Sequence, residues 1–405
     1  MNLELNQQDY KSIPDWQDIL PEQWNSWQWQ MKNAIRDVDQ LNNVLSFFTS
    51  HRADSSAIIH KISKKLFSFK VTPFMVLTIK RALENNIVGA WQAFSQSFLP
   101  IETELARNEE RGIDCIGEQL PNASPVPAIT NFYKNRVLFR VTNMCPAYCR
   151  YCFRRRMVGE GLGAWNEQSI KEGISYIASN SEIREVIISG GDPLVLSDER
   201  INFILKSLKE IPHIKRLRID SKALTMMPQR ITSSFVEILR KYQPFYFIGH
   251  FSHPYELTKE TRDACARLAD SGIALGSHTP LIKGINDDEH TLVSLMEGLV
   301  DCRIQPYYLI HFIPTKWTEH FRVPLKRGVY LIRFLFKSCG GLATPTLIVY
   351  LPDGGGKVPV SPNYIIERSE DGYLFKSLDG RTILYPETKQ ERGIYATDNT
   401  SLTIK

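Results

Sequence analysis

From residue 136 onward, short runs rich in β-branched and aromatic residues alternate with stretches of helical periodicity. In 169–179, for example, Ile170, Ile174 and Ile177 recur at the spacing of one helical face. This alternation is typical of βαβ units and a parallel sheet. The predicted strands are 137–142, 185–189, 215–219, 245–250, 273–277, 305–311 and 346–350.

Six strand–helix units and one further strand predict an α/β fold, a partial (β/α)6-type barrel, with an open doubly wound sheet as the alternative. We expect a helical N-terminal region (1–120), a core barrel (121–360) and a short C-terminal extension (361–405). Helical periodicity covers 10–110, and a Gly- and Pro-containing stretch at 116–130 indicates a linker. In either topology the functional site lies at the carboxyl ends of the strands.

The chain has 405 residues, 43% of them hydrophobic, which is enough for a sizeable core. A net charge of +5 without extended basic clusters argues against nucleic-acid binding. We find no signal peptide and no apolar run of membrane-spanning length, so we expect a cytoplasmic protein with no membrane partner. Three of the seven cysteines crowd together, which is unlike a disulfide framework.

The crowded cysteines, Cys145, Cys149 and Cys152, form a C-x3-C-x2-C loop directly after the first predicted core strand. Three thiolates in one loop suit Zn, Cu(I) or an iron–sulfur cluster. A closed structural zinc site needs a fourth ligand, and no second C-x2-C or H-x3-H pair supplies one. A [4Fe–4S] cluster on three cysteines leaves one iron open to a ligand, and the spacing therefore favours the cluster.

Other chemically suggestive residues also follow predicted strands. Ser189-Gly190-Gly191-Asp192 ends the second strand, where glycines let a ligand approach the backbone, although an ordinary βα turn has the same pattern. His250 and His253 follow the fourth strand and either line the site or are structural. Lys357 follows three glycines near the C-terminus, which suits a lysine that forms a Schiff base, but a solvent-exposed loop lysine is the commoner case.

Together these motifs resemble the lysine 2,3-aminomutase family of radical S-adenosylmethionine enzymes, from about residue 15 to about residue 365. Besides the cysteine loop, the matching segments are Trp24–Gln30, Ser124–Pro127, Arg136–Phe139, Arg154–Arg156, Ser189–Asp192, Pro228–Ile231, His250–Phe251, Gly284–Asp287, Pro306–Tyr308, His320–Arg322 and Gly354–Lys357.

The resemblance implies three cofactors: a [4Fe–4S] cluster, S-adenosylmethionine and pyridoxal 5′-phosphate. In that family the lysine matching Lys357 carries pyridoxal phosphate, and the arginine matching Arg136 lies beside it. The arginine matching Arg154 binds the substrate α-carboxylate. The residues expected around S-adenosylmethionine are Ser189, Gly190, Gly191, Asp192, Ser221, Lys222, His250 and His278.

Some positions depart from the family pattern. Ile313 and Tyr350 stand where lysine-specific members have two aspartates for the remote ammonium. Asp353 is the nearest acid that could replace them, while His311 and Lys316 are the nearest residues that could bind an acidic side chain. Three further positions differ from the family pattern: His278 replaces a glutamine, Asp220 a glycine and Lys222 an arginine.

The C-terminal extension contains no cysteine, so the structural zinc of some members is not expected. The leading interpretation is an isomerase, an α-amino-acid 2,3-aminomutase, whose substrate is an amino acid other than lysine. The alternatives are a lysine 2,3-aminomutase, including a type serving β-lysylation of a translation factor, and a radical enzyme with different chemistry. The resemblance also implies an electron donor such as flavodoxin or ferredoxin, and a homo-oligomer.

Overall fold

The computed structural model describes residues 9–65, 67–105, 112, 114–159, 165–369 and 371–388. Its centre is a nine-stranded sheet whose strands follow one another in sequence order. The strands are β1 (Ile129–Tyr133), β2 (Arg136–Thr142), β3 (Glu185–Gly190), β4 (Arg216–Ser221), β5 (Phe245–His250), β6 (Ala274–Leu281), β7 (Gln305–His311), β8 (Thr346–Leu351) and β9 (Gly356–Pro359).

Strands β2 to β8 are mutually parallel, whereas β1 and β9 pair antiparallel at the two edges. All seven predicted strands are present, and their ends agree within two residues except in β6, which extends four residues further. A doubly wound sheet reverses its strand order part-way across, and this sheet does not. The partial barrel is therefore confirmed. The sequence did not predict β1, nor that Lys357 lies in a strand, β9.

Helices precede the sheet and connect its parallel strands. The helices before the sheet are α1 (Pro21–Trp24), α2 (Trp27–Lys32), α3 (Val38–Leu45), α4 (Ala57–Lys65), α5 (Pro73–Glu84) and α6 (Ala90–Phe98). The connecting helices are α7 (Glu167–Ser179), α8 (Asp198–Lys209), α9 (Ala223–Met226), α10 (Ser233–Arg240), α11 (Lys259–Asp270), α12 (Glu289–Asp301) and α13 (Leu325–Ser338). Short 3-10 turns are Asp9–Ser12, Pro14–Trp16, Glu102–Leu105, Pro193–Val195, Pro228–Arg230, Pro254–Glu256 and Glu319–Phe321.

Local sequence explains where the connecting helices begin and which face they bury. Five of them begin at a capping residue whose side-chain oxygen accepts a hydrogen bond from an amide of the first turn. These capping residues are Asn166, Ser197, Thr232, Thr258 and Asp288. On α7, Ile170, Gly173 and Ile177 are buried against the sheet. A Cβ at Gly173 would lie 2.6 Å from the Phe139 ring, so the close contact of α7 with β2 requires glycine.

The N-terminal helices pack against the loops at the carboxyl ends of the strands. Tyr10, Trp16 and Trp24 belong to a buried cluster that also includes Tyr151 and Phe312 of the barrel. Residues 106–110 of the predicted helical stretch lie outside the described part of the chain. This region therefore borders the end of the barrel at which the site was predicted.

The C-terminal extension forms a separate three-stranded antiparallel sheet of β10 (Ile365–Ser369), β11 (Gly372–Lys376) and β12 (Thr382–Pro386). Residues 389–405 lie outside the described chain. No helix among the described residues combines the length and apolar character needed to cross a membrane.

Candidate active site

A cavity with a volume of about 260 Å³ opens at the carboxyl ends of the parallel strands. It brings together residues from the cysteine loop, from the ends of successive strands and from the β8–β9 hairpin. Every residue assigned to the site from the sequence lines it: Arg136, Cys145, Cys149, Cys152, Arg154, Ser189, Gly190, Gly191, Asp192, Ser221, Lys222, His250, His278, Ile313, Tyr350 and Lys357.

The three loop cysteines are half-buried, contribute to the cavity lining and form no disulfide. Burial raises the pKa of Cys149 to about 12 and raises the pKa of Cys145 well above its usual value. These thiols thus need a strong positive charge nearby to become thiolates, and iron bound between them would supply that charge. Three soft donors around one cavity fit a cluster with one iron open to a ligand.

The cysteine loop is held from outside by the N-terminal region. The amide of Tyr148 donates to the Lys70 carbonyl at 2.9 Å, and the amide of Arg150 donates to the Ser97 carbonyl at 2.7 Å. The ammonium of Lys70 donates to the Cys145 carbonyl at 2.8 Å. These bonds fix the backbone on both sides of Cys149.

A buried ion cluster reinforces the same anchor. Arg150 and Glu104 are fully buried and pair through two hydrogen bonds, of 2.9 and 2.6 Å, and Arg155 donates to the same carboxylate at 2.7 Å. Burial alone would raise the pKa of Glu104, but the two arginines hold it below its usual value. The carboxylate therefore remains charged and binds the loop to the residues before the sheet.

The glycine segment after β3 packs directly on the cysteine loop. A Cβ at Gly190 would lie 2.2 Å from the Thr142 carbonyl oxygen, and one at Gly191 would lie 2.2 Å from the Met144 carbonyl oxygen. Both positions therefore require glycine. The amide of Gly191 donates to the Thr142 carbonyl at 2.7 Å, which ties the ends of β2 and β3 together.

Asp192 organises the segment rather than presenting an unpaired carboxylate. Its oxygens accept from the Ser221 hydroxyl at 2.8 Å and from the amides of Lys222 at 2.8 Å and Leu194 at 3.0 Å. Lys222 in turn donates to Glu256 at 2.7 Å. The end of β3 is thereby joined to the end of β4.

His250 and His278 are register partners on β5 and β6, and both line the cavity. Burial lowers the pKa of both imidazoles well below the usual value, so both are neutral at pH 7. The Nε2 atom of each is buried and has no hydrogen-bond partner among the described residues. Buried polar atoms without partners are costly, and a ligand in the cavity could supply the missing bonds.

Lys357 lies on β9 directly opposite Tyr350 on β8. Its Nζ atom is 5.0 Å from the ring centroid of Tyr308 and 5.3 Å from that of Tyr350. Burial, followed by the charge of Arg218, lowers the pKa of Lys357 to about 7, while Asp220 opposes this shift. A large fraction of the side chain is therefore the neutral, nucleophilic amine near pH 7.

Two arginines assigned from the sequence flank this lysine in different ways. Arg136 stacks on Tyr133, with its guanidinium carbon 3.6 Å from the ring centroid, and the Tyr133 hydroxyl accepts from the Lys357 amide at 2.7 Å. Arg154 pairs with Glu118, a residue the sequence did not single out, at 2.6 Å. Glu118 is fully buried in the irregular segment taken for a linker, so that interpretation was wrong for this part of it.

The sequence analysis considered three polar residues for the far end of the pocket, and none of them, Asp353, His311 or Lys316, lines the cavity. Asp353 is exposed, in a turn at φ 54°. His311 is buried and its Nε2 atom lies 2.8 Å from the Val323 carbonyl. The described acids that do line the cavity are Glu118, Asp192 and Asp220, and each already has a partner within the protein.

Comparison with known proteins places this geometry in a family. A family model described as Lysine-2,3-aminomutase matches residues 332–403, and one described as Radical SAM superfamily matches residues 139–296. An L-lysine 2,3-aminomutase of Acetoanaerobium sticklandii is 35% identical over 91% of this chain and 86% of its own length. The chain belongs to the lysine 2,3-aminomutase family. A glutamate 2,3-aminomutase of Clostridioides difficile is 36% identical over 89% of this chain and 82% of its own length.

As a lysine 2,3-aminomutase family member, the chain is an isomerase of the radical S-adenosylmethionine type. That superfamily implies a [4Fe–4S] cluster and S-adenosylmethionine, in agreement with the three thiols around the cavity. Relatives named for lysine and for glutamate are about equally similar to it. Family membership therefore does not decide the substrate.

Proposed function

We propose that the protein uses pyridoxal phosphate to move the amino group of an α-amino acid from C2 to C3, and that it prefers a neutral or acidic amino acid to lysine. One observation supports the use of pyridoxal phosphate in an amino-group migration. The Lys357 amine, with its pKa lowered to about 7, lies in the same cavity as Cys145, Cys149 and Cys152. A Schiff-base lysine and a cluster site on one cavity suit radical chemistry on an amino group.

In this proposal Lys357 holds pyridoxal phosphate covalently, with Arg136 beside it. Ser221, Lys222, His250 and His278, with the glycine segment, surround S-adenosylmethionine. The bound cofactors supply one electron, a carbon radical that removes hydrogen, and a conjugated system that delocalises the unpaired electron. The protein binds and orients the reactants and excludes water from them.

Arg154 supplies the α-carboxylate site. A guanidinium binds a carboxylate through paired, charge-assisted hydrogen bonds. Arg154 is only 15% exposed at its side chain, and the exposed part contributes to the cavity lining. The site thus selects the backbone of an α-amino acid without regard to its side chain.

The proposed preference against lysine rests on the cavity-lining residues that would surround the substrate side chain. Ile313 and Tyr350 line the cavity, and burying an ammonium against them without a carboxylate costs several kcal/mol. Glu118 and Asp220 are both engaged by arginines, at 2.6 and 2.7 Å. A lysine substrate would have to compete with these ion pairs, whereas an apolar side chain would not.

Two measurements test the proposal. Borohydride reduction of the protein with pyridoxal phosphate, followed by peptide mapping, should label Lys357, and Lys316, outside the cavity, should stay unlabelled. Reconstituted enzyme should turn over leucine, alanine or glutamate faster than lysine in parallel assays. A label on another lysine would refute the pyridoxal phosphate site, and a preference for lysine of about tenfold or more would refute the substrate preference.

A further inference from the structure

We propose that Glu118 is a positioning residue for Arg154, and that the segment 114–118 sets the spacing between this guanidinium and the Lys357 amine. The inference rests on the proposed function, since it concerns the site at which the α-carboxylate and the α-amine of one substrate are held. We call residues 114–118 the Glu118 segment.

Glu118 holds one edge of the Arg154 guanidinium. The Nε atom donates to the two carboxylate oxygens at 3.0 and 3.1 Å, and Nη2 donates at 2.6 Å. A guanidinium has five N–H donors in a rigid plane. The remaining donors are the two hydrogens on Nη1 and one on Nη2, and among the described residues Nη1 has no hydrogen-bond partner. Glu118 thereby determines which edge of Arg154 is available to a carboxylate.

Two further arginines, Arg140 and Arg156, lie close to this pair. Arg156 lies 2.8 Å from Asp114 and 3.4 Å from Glu118. Burial, together with Arg154 and Arg156 and against the effect of Glu118, lowers the pKa of Arg140 to about 10. Positive charge is therefore concentrated beside Arg154, which favours an anionic group such as an α-carboxylate there.

The Glu118 segment also touches the loop that leads to Lys357. The amide of Gly354 donates to the Ile116 carbonyl at 3.1 Å. Gly117 has φ +74°, and a Cβ there would lie 2.9 Å from the Gly354 nitrogen, so the two chains are in close contact. The Asp114 carboxylate accepts from the amide of Glu118 at 3.0 Å and closes the turn. One short segment therefore contacts both the carboxylate site and the loop before the amine site.

The test compares an amino acid with its α-carboxamide. In protein loaded with pyridoxal phosphate, the dissociation constants of leucine and leucinamide are measured from the absorbance change of the bound cofactor. The wild type should prefer the acid, and Glu118→Gln should lose about tenfold of that preference, because a charge-assisted bond no longer orients Arg154. General damage to the fold would weaken acid and amide alike. Glu289→Gln removes a similar two-bond pair with Arg327, at 2.9 and 2.8 Å, and should change nothing.

Glu118→Asp provides a second variant if the glutamine variant does not fold. It keeps the charge but shortens the side chain by one methylene, and it should also lose preference for the acid. Retention of the wild-type preference within about twofold in either folded variant overturns the inference. Equal binding of leucine and leucinamide by the wild type also overturns the inference. If borohydride still labels Lys357 in that case, the pyridoxal phosphate site of the proposed function stands. A wild type without label on Lys357 refutes the proposed function itself, and the inference with it.

Discussion

Asp220 and His278 meet inside the barrel, with Oδ2 of the aspartate 3.8 Å from Nδ1 of the histidine. They lie on β4 and β6, alternate strands of the kind whose inward side chains share a layer in a barrel. Arg218 holds Asp220 through two hydrogen bonds of 2.7 and 3.0 Å. Asp220 also raises the pKa of Lys357, against the effect of burial and of Arg218. One carboxylate thus faces a residue expected near S-adenosylmethionine and influences the lysine expected to hold pyridoxal phosphate.

We predict that Asp220→Asn lowers the pKa of Lys357 below its value of about 7. Removing the negative charge destabilises the ammonium and leaves Arg218 with only its more distant carboxylate partner, Glu185 at 3.4 Å, and both effects favour the neutral amine. The rate of pyridoxal phosphate attachment to apoprotein, followed against pH, should have its midpoint at lower pH in the variant. Asp353→Asn, an exposed position outside the cavity, is the control. An unchanged or higher midpoint would contradict the predicted effect of Asp220.

The iron content of the protein should depend on Cys145, Cys149 and Cys152 and not on the other cysteines. We expect about four irons per chain after anaerobic purification and reconstitution. Cys149→Ala should abolish this iron, because two thiolates cannot replace the three-cysteine site. Cys339→Ala removes a thiol at the end of α13 and should retain the full iron content. Stoichiometric zinc in place of iron in the wild type would count against the cluster.

Glu104→Gln should destabilise the protein even without its cofactors. Removing the carboxylate leaves the buried guanidinium groups of Arg150 and Arg155 without their counter-charge, which costs about 3–5 kcal/mol in the free energy of unfolding. Because the pKa of Glu104 is lower in the folded protein than its usual 4.5, its contribution is present above that pH and is lost as pH falls below it. Urea unfolding of apoprotein at pH 7 and at acidic pH measures both effects. Glu289→Gln, which removes the partly exposed ion pair with Arg327, should lower the free energy of unfolding by about 1 kcal/mol or less.

Ile313→Asp should shift the substrate preference toward lysine. The new carboxylate would face the cavity and compensate the remote ammonium, which Ile313 cannot do. The ratio of kcat/KM for lysine to that for leucine should rise about tenfold or more. Ile313→Asn, similar in size but neutral, should not produce this rise. Tyr350→Asp should act in the same direction, but it also places an acid opposite Lys357, so it tests the pocket less directly.

Sequence alone predicted the parallel strands and the cysteine loop because both have local signals, namely hydrophobic periodicity and close cysteine spacing. The shared cavity of the assigned residues then follows from the rule that functional residues lie at the carboxyl ends of parallel strands. Glu118 was missed because an irregular segment with Gly and Pro has no periodicity that reveals burial. The strand containing Lys357 was missed because three glycines suggest a loop, whereas Tyr350 and Lys357 pair across a hairpin. His311 could not be oriented from the strand alternation alone, since its position near the strand end left both directions open.

The anchoring of the cysteine loop also bears on repair after oxidative damage. The loop is held by Lys70, Ser97 and Glu104, none of which is assigned as a cluster ligand. Each of these contacts joins two protein groups, so none of them has iron as a partner. We therefore expect a chain that loses its cluster to oxygen to retain them, and its recovery to require delivery of iron and sulfide and not a second round of folding.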